Sequence, residues 1–143
     1  MPLSFVHSFR YLGHLLRNDQ SDDDDIARET RNLYVRANIL TRKFSKCSLS
    51  VKLLLFRCYC LCLYDIALWA NYFAGYFNKL RSAYIKCMKL FFGYKRRDSV
   101  TAMLLDLNLL SFDTVMSNCH CSFAGQLSRC HNTLIVHFIS LAL

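Results

Sequence analysis

The stretch Ser21–Lys46, SDDDDIARETRNLYVRANILTRKFSK, contains the clearest helical pattern in the chain. Apolar or small residues recur along it at intervals of three or four, which places them on one side of an α-helix. They are Ile26, Thr30, Leu33, Ala37, Leu40 and Phe44. Ser21 is a candidate N-cap, and the aspartates after it put negative charge at the positive end of the helix dipole. The stretch therefore predicts a long amphipathic helix that begins near Ser21.

Basic residues lie opposite the apolar side of this predicted helix. At about 100° per residue, four of them fall within about 60° of the direction opposite Ile26. These four are Arg28, Arg31, Arg42 and Lys46, and a second basic group, Lys95, Arg96 and Arg97, follows a later helix. We predict that these seven side chains contact the backbone of a nucleic acid.

The charge distribution supports this prediction better than the net charge of +8 does. Between Ile26 and Arg97 there are fifteen Lys or Arg residues and only two acids, Glu29 and Asp65. An ordinary surface mixes both signs, and a run of like charge is usually just a solvated face. Unpaired positive faces on two helices and a loop favour sequence-independent, salt-sensitive phosphate contacts.

The remaining sequence predicts a mostly α fold. The chain has one proline and four glycines in 143 residues, which favours long helices over a many-turned β fold. Its start, Leu3–Arg17, is predicted to form a β-hairpin in which Phe9, Tyr11 and Leu15 share a face. We expect this short N-terminal β-hairpin to be followed by a bundle of about four or five helices.

The later helices are placed by their capping residues and apolar spacing. A central, buried helix is predicted from Ser48 or Ser50 to about Tyr72, with the bundle packed around Leu53–Trp69. The others are predicted at Lys79–Phe92, ended by Gly93, from Ser99 to about Asn108, and from Ser111 onward. Cys58, Cys60 and Cys62 are interpreted as reduced, buried residues of the central helix.

Two clusters contain metal-ligand residue types. The run Asp22–Asp25 could hold magnesium, but its position before an amphipathic helix favours helix-start charge. Cys119, His120 and Cys121, with Cys130 and His131, have zinc-ligand chemistry, but their spacing fits no standard zinc motif. We predict no metal site. No phosphate-binding loop, nucleophile elbow or acid–base pair is present, so no catalytic residue is predicted either.

A second hypothesis is a helical membrane or membrane-surface protein. The segment Leu53–Phe77 is long and apolar enough to cross a bilayer on paper. It contains Arg57 and Asp65, however, and each would cost about 2.5–3.5 kcal/mol near the bilayer centre. Burial inside a helical bundle is therefore favoured and a membrane partner is not expected. Met1–Arg10 does not have the pattern of a signal peptide, so we expect a cytoplasmic or nuclear protein.

Several short motifs occur in the order found in reverse transcriptases of LINE-type, non-LTR retrotransposons. Phe9–His14 (FRYLGH) resembles the F-[KR]-Y-L-G motif that follows the catalytic palm in that family, and Ser21–Ile26 resembles the helix start after it. Further matches are Leu40–Lys46 (LTRKFSK), Leu55–Tyr64 (LFRCYCLCLY), Leu68-Trp69, Lys79-Leu80, Ala83-Tyr84, Leu90–Ser99 (LFFGYKRRDS), Leu107-Asn108 and Ser111-Phe112. The resemblance covers about residues 5–112.

The resemblance implies three regions: an end-of-palm hairpin at 1–17, a thumb-like helical region at 18–97 and a C-terminal helical region at 98–143. It implies that Phe9, Tyr11, Leu12 and Gly13 belong to the hairpin called the primer grip. The family's catalytic aspartates, and the magnesium they bind, belong to an upstream palm. The chain is thus expected to be a non-catalytic fragment without its own cofactor, which partners a primer–template duplex and the missing palm and fingers. The alternative is a non-functional product of a decayed element.

Overall fold

The computed structural model describes residues 4–142 and confirms the mostly α class with an N-terminal hairpin. The strands are β1 (Ser8–Tyr11) and β2 (His14–Arg17). The helices are α1 (Asp23–Phe44), α2 (Leu49–Cys60), a 3₁₀ helix (Tyr64–Leu68), α3 (Ala74–Phe92), α4 (Val100–Leu107), α5 (Phe112–Ser128) and α6 (Thr133–Ala142).

The hairpin is joined by a two-residue turn at Leu12 and Gly13. Both residues have positive φ angles, 49° and 91°, as the tightest hairpin turns require. The strands pair antiparallel with Phe9 opposite Leu16. Directly opposed residues lie on the same face of a hairpin. The predicted grouping of Leu15 with Phe9 is therefore wrong, because Leu15 is opposite Arg10 and lies on the other face.

Helix α1 has the predicted amphipathic pattern. It begins at Asp23 with Asp22 as its N-cap, slightly later than the predicted Ser21. The predicted apolar side is buried at its centre, where Ile26, Leu33 and Ala37 are fully inaccessible to solvent. This side packs against α3, whose Leu80, Tyr84 and Met88 are also fully or almost fully buried.

The predicted central helix from Ser48 to Tyr72 is wrong. Helix α2 ends at Cys60, and residues 61–73 form a non-α segment that contains only the 3₁₀ helix. This segment contains no Gly or Pro that would indicate a break. It bends because Ile66 and Trp69 are buried and because Asp65 pairs with Arg28 of α1. The core is therefore centred on α1 and α3, not on Leu53–Trp69.

Residues 53–77, which the membrane hypothesis takes as one segment, do not form a single helix, because α2 ends at Cys60 and α3 begins at Ala74. In the described part of the chain, no single helix is long and apolar enough to cross a membrane. Only α4 and α5 taken together, across a break, reach the required length and composition.

Helices α1 and α3 run in the same direction. Asp23, at the start of α1, accepts a hydrogen bond of 2.7 Å from the backbone N–H of Phe73, the N-cap of α3. Further along both helices, the thiol of Cys87 in α3 lies 3.9 Å from the carbonyl oxygen of Leu33 in α1. The two N-termini therefore lie together, and the two C-termini point in the same direction.

The predicted caps of the later helices are confirmed. The Ser99 hydroxyl accepts a hydrogen bond from the Ala102 N–H at the start of α4, and Ser111 does the same for Thr114 at the start of α5. Helix α3 ends at Gly93, which has a φ of 81°. The chain divides into two compact units between Leu109 and Leu110. The predicted boundaries at residues 17 and 97 stay predictions.

The cysteines differ strongly in exposure. Cys60 is fully buried, as predicted, but Cys58 is exposed and Cys62 is half-buried. The difference arises because α2 is not a central helix and only one of its sides faces the core. Burial raises the pKa of the Cys60 thiol to about 12 and that of Cys87 to about 11. These two buried thiols are therefore poor nucleophiles.

We predict that alkylation of the native protein at pH 8 will modify Cys58 and leave Cys60 and Cys87 intact. The Cys58 thiol is accessible to the reagent, whereas the Cys60 and Cys87 thiols are buried and their raised pKa values keep them protonated. Mass spectrometry of peptides from iodoacetamide-treated protein measures this directly, and denatured protein provides the full-labelling control. Equal labelling of Cys58 and Cys60 under native conditions would contradict the described packing.

Candidate nucleic-acid interface

The aspartate run at the start of α1 holds a neighbouring segment in place. One carboxylate oxygen of Asp22 accepts hydrogen bonds of 2.9 Å from the backbone N–H groups of both Ala70 and Asn71. Asp23 accepts the Phe73 N–H, as described above, and Asp24 pairs with Arg17 of β2 at 2.7 Å. The predicted placement at the helix start is correct, and the structure adds that these side chains join α1 to the hairpin and to residues 70–73.

Asp25 is the centre of this junction and is fully buried. Its Oδ1 accepts the Leu15 N–H at 3.0 Å and Arg28 Nε at 2.8 Å, and its Oδ2 accepts Trp69 Nε1 at 2.9 Å. Burial by itself would raise the pKa of Asp25, but the hydrogen bonds from Arg28, Trp69 and Leu15 outweigh it and hold the pKa below its ordinary value. The Asp25 side chain is therefore ionised in the folded protein.

Arg28 is part of the junction and does not lie on the predicted exposed basic side of α1. Its Nη2 donates to Asp65 Oδ2 at 2.7 Å, and only 16% of its side chain is exposed. Burial by itself would lower the pKa of Arg28, but Asp25, Glu29 and Asp65 together raise it above the ordinary value. The angular argument fails here because residues 61–73 cover α1 on a second side. Arg28 is therefore not available for phosphate.

His14 completes the junction from strand β2. Its Nδ1 lies 3.0 Å from Asp25 Oδ2 and 3.9 Å from Asp65 Oδ2. Among the described residues, these three form the one group whose ligand atoms are close enough to surround a metal ion. The same carboxylate oxygens already accept hydrogen bonds from Trp69 and Arg28. The arrangement therefore works as a network of ion pairs and hydrogen bonds. The cysteines and histidines of residues 119–131 form no such group in the described structure.

Most of the other predicted cations lie at the opposite end of α1 and α3. We call these five residues, Arg42, Lys46, Lys95, Arg96 and Arg97, together with the neighbouring Lys43, which was not predicted, the basic pole. Arg42 and Lys43 lie in the last turn of α1, and the others follow the ends of α1 and α3. Because the two helices are parallel, their negative dipole ends lie together, which favours cations at this end.

The side chains of the basic pole are exposed and have no ion-pair partner. All six residues are exposed, and no carboxylate of the described residues lies within 4.0 Å of their charged groups. The loop that carries the last three is held by Lys89, whose Nζ donates to the carbonyl oxygens of Arg96 and Asp98. The basic pole is therefore an exposed, positively charged surface. It is formed by the C-terminal end of α1 and by the loop after α3 that Lys89 holds in place.

Arg31 is exposed but lies apart from the basic pole. It precedes Arg42 by eleven residues, a rise of about 16 Å along α1. The outer side between them carries Val35 and Ile39, which are 56% and 47% exposed. The predicted basic side of α1 is therefore interrupted by apolar residues.

The predicted primer-grip residues lie on the surface. Phe9 and Tyr11 are each 58% exposed, and Leu12 at the turn is 89% exposed. Gly13 has the positive φ that the turn requires. The hairpin thus presents apolar and aromatic side chains to solvent, while the Leu15 N–H and the Arg17 guanidinium tie it to Asp25 and Asp24 of α1.

Comparisons of the chain with protein-family models, with curated proteins and with solved structures found no match.

Proposed function

We propose that the chain is a non-catalytic part of an RNA-directed DNA polymerase of the LINE type, and that it holds a primer–template duplex through its basic pole. The order of sequence motifs supports the polymerase family. The contacts would be made to phosphates, so binding would be independent of sequence and sensitive to salt. Catalytic aspartates and their magnesium would be supplied by an upstream palm, against which the exposed hairpin would pack.

One observation carries this proposal: most of the acidic residues lie at one end of α1 and α3, and the basic pole lies at the other end. Seven of the ten acids lie at or near the junction, at Asp19, Asp22, Asp23, Asp24, Asp25, Glu29 and Asp65. They are occupied by Arg17, Arg28, Arg36, His14 and backbone N–H groups. The one acid inside the loop of the basic pole is Asp98, whose carboxylate accepts the Lys95 backbone N–H at 2.6 Å and forms no ion pair with a cation of the pole among the described residues.

We predict that the double variant Lys46→Gln/Arg97→Gln will bind duplex with a weaker dependence on salt. Each phosphate contact contributes about −0.9 to the slope of log K against log salt concentration for a duplex. Losing two contacts should make the slope shallower by about 1.8. Fluorescence anisotropy of a labelled RNA–DNA hybrid, titrated at several salt concentrations, measures this slope.

The matched control is Arg10→Gln/Arg129→Gln, which removes the same charge from exposed sites outside the basic pole. Its slope should stay close to that of the wild type. If both double variants shift the slope equally, binding depends on net charge and the basic pole has no special role. If the wild type does not bind the hybrid even at low salt, the proposed function is wrong.

A further inference from the structure

Two open grooves run along the outer side of α3 and form one continuous channel. The first, of about 450 Å³, lies between α3 and α1 and is lined by Tyr34, Lys79 and Lys86, among others. The second, of about 400 Å³, is lined by Lys86, Tyr94 and Arg96, among others. Both grooves share Ser82 and Lys86, so they meet in the middle of α3. We call this channel the α3 groove.

Three exposed cations line the α3 groove, namely Lys79, Lys86 and Arg96. Lys79 and Lys86 are both exposed and seven residues apart, which places them on one side of α3 at a distance of about 10 Å. Arg96, at the end of the groove, belongs to the basic pole. No carboxylate is among the described residues that line either part. The charge therefore continues along the groove into the basic pole and suits a chain of phosphates.

Aromatic rings lie in both halves of the α3 groove. Tyr34 lines the first half and Tyr94 the second, and both are half-buried. The Tyr94 hydroxyl is hydrogen-bonded to Asp106, which helps to fix the ring at its position. Aromatic rings that alternate with cations are the features by which proteins bind unpaired nucleotides, because bases stack on the rings and phosphates meet the cations.

We propose that the α3 groove binds a single strand of nucleic acid. Lys79, Lys86 and Arg96 contact its phosphates, and unpaired bases stack on Tyr34 and Tyr94. A duplex does not use these rings, because its base faces are already stacked on one another. The inference rests on the proposed function in that the chain binds nucleic acid, and it adds a second binding mode at a surface that adjoins the basic pole and shares Arg96 with it.

Two variants distinguish binding at the α3 groove from binding at the basic pole. For a labelled twelve-nucleotide oligo(dT), Lys79→Gln/Lys86→Gln should make the salt slope shallower by about 1.4, because each contact to a single strand contributes about −0.7. The slope for the RNA–DNA hybrid should not change. Tyr94→Leu should weaken oligo(dT) binding by about fivefold or more. Tyr94→Phe keeps the ring and should retain the affinity, whereas the exposed Tyr59→Leu serves as the control.

The outcomes distinguish the two proposals. Oligo(dT) binding that is unaffected by the lysine double variant and by Tyr94→Leu, while the hybrid still binds, overturns the α3 groove alone. If the wild type does not bind the RNA–DNA hybrid, but the lysine double variant and Tyr94→Leu both weaken oligo(dT) binding as expected, only the duplex role is overturned. If phosphatidylserine vesicles bind through Lys79 and Lys86 and oligo(dT) does not bind, the groove recognises a lipid surface and the inference is wrong.

Discussion

Asp25→Asn is expected to lower the free energy of unfolding by about 3 kcal/mol or more, the magnitude typical of breaking a buried ion pair by removing one partner. The neutral amide cannot form an ion pair with the guanidinium of Arg28. It must also still accept hydrogen bonds from the Leu15 N–H and from Trp69 Nε1. Arg28 keeps Asp65 as a partner, so the loss should not exceed the upper end of that range, about 5 kcal/mol. Urea unfolding followed by circular dichroism measures the change.

The adjacent Asp24 provides the control. It has the same side chain and also pairs with an arginine, but its side chain is 48% exposed. Asp24→Asn should therefore change stability by no more than about 1 kcal/mol. Equal losses in the two variants would contradict the central position of Asp25 in the junction.

The contribution of Asp25 should depend on pH in one direction. Its folded-state pKa lies below the ordinary value, which is about 3.9. The stabilisation is therefore fully present above that value and is lost as the pH falls through the folded-state pKa. The difference in stability between wild type and Asp25→Asn should shrink as the pH falls below about 4. A difference that grows in acid would contradict the lowered pKa.

Phe56→Ala is expected to lower the free energy of unfolding by about 3–5 kcal/mol, as for other fully buried aromatic residues. The Phe56 ring is completely buried. Its centroid lies 6.0 Å from that of Tyr84, 6.4 Å from that of Phe91 and 5.5 Å from that of Phe92. Truncation removes these contacts and leaves a cavity between α2 and α3. Chemical denaturation with intrinsic tyrosine and tryptophan fluorescence measures the loss.

The variants Leu54→Ala and Phe56→Leu test which side of α2 is buried. Leu54 is 62% exposed two residues earlier, so Leu54→Ala should change stability by about 0.5 kcal/mol or less. Phe56→Leu fills most of the space and should cost less than Phe56→Ala. A larger loss at Leu54 than at Phe56 would mean that α2 buries the other side.

The elements that could be predicted from the sequence are those whose causes are local. The start of α1 follows from the aspartate run and the helix dipole, and its buried side follows from the spacing of Ile26, Leu33 and Ala37. The ends of α3 and α4 follow in the same way from Gly93 and Ser99. Each of these features depends on residues within a few positions of one another.

The features that could not be predicted depend on distant contacts. Helix α2 ends at Cys60 because residues 61–73 fold back onto α1, where Asp65 meets Arg28 and Trp69 meets Asp25. These pairs are separated by 37 and 44 positions in the chain, and helical periodicity contains no information about them. For the same reason, helical periodicity predicts Arg28 on the solvent side of α1, although its contacts with Asp25 and Asp65 place it in the junction.

Within the candidate interface, the cations at helix ends were easier to predict than their arrangement. Arg42, Lys46 and Lys95–Arg97 could be selected from charge density alone. Their gathering at one end requires α1 and α3 to be parallel, which depends on the contacts of Asp23 and Cys87. The ring of Tyr94 follows the end of α3 directly, whereas the ring of Tyr34 comes from α1 and reaches the groove only when α1 packs against α3.

The separation of acids at one end of α1 and α3 from cations at the other gives this unit a permanent electric dipole moment along its helices. A polyanion exerts a torque on such a body before any contact forms, and it turns the positive end forward during diffusion. A larger share of random encounters then begins in a productive orientation. Dissolved ions shorten the reach of this torque to about 8 Å at physiological ionic strength, so the orienting effect acts only over the last step of the approach.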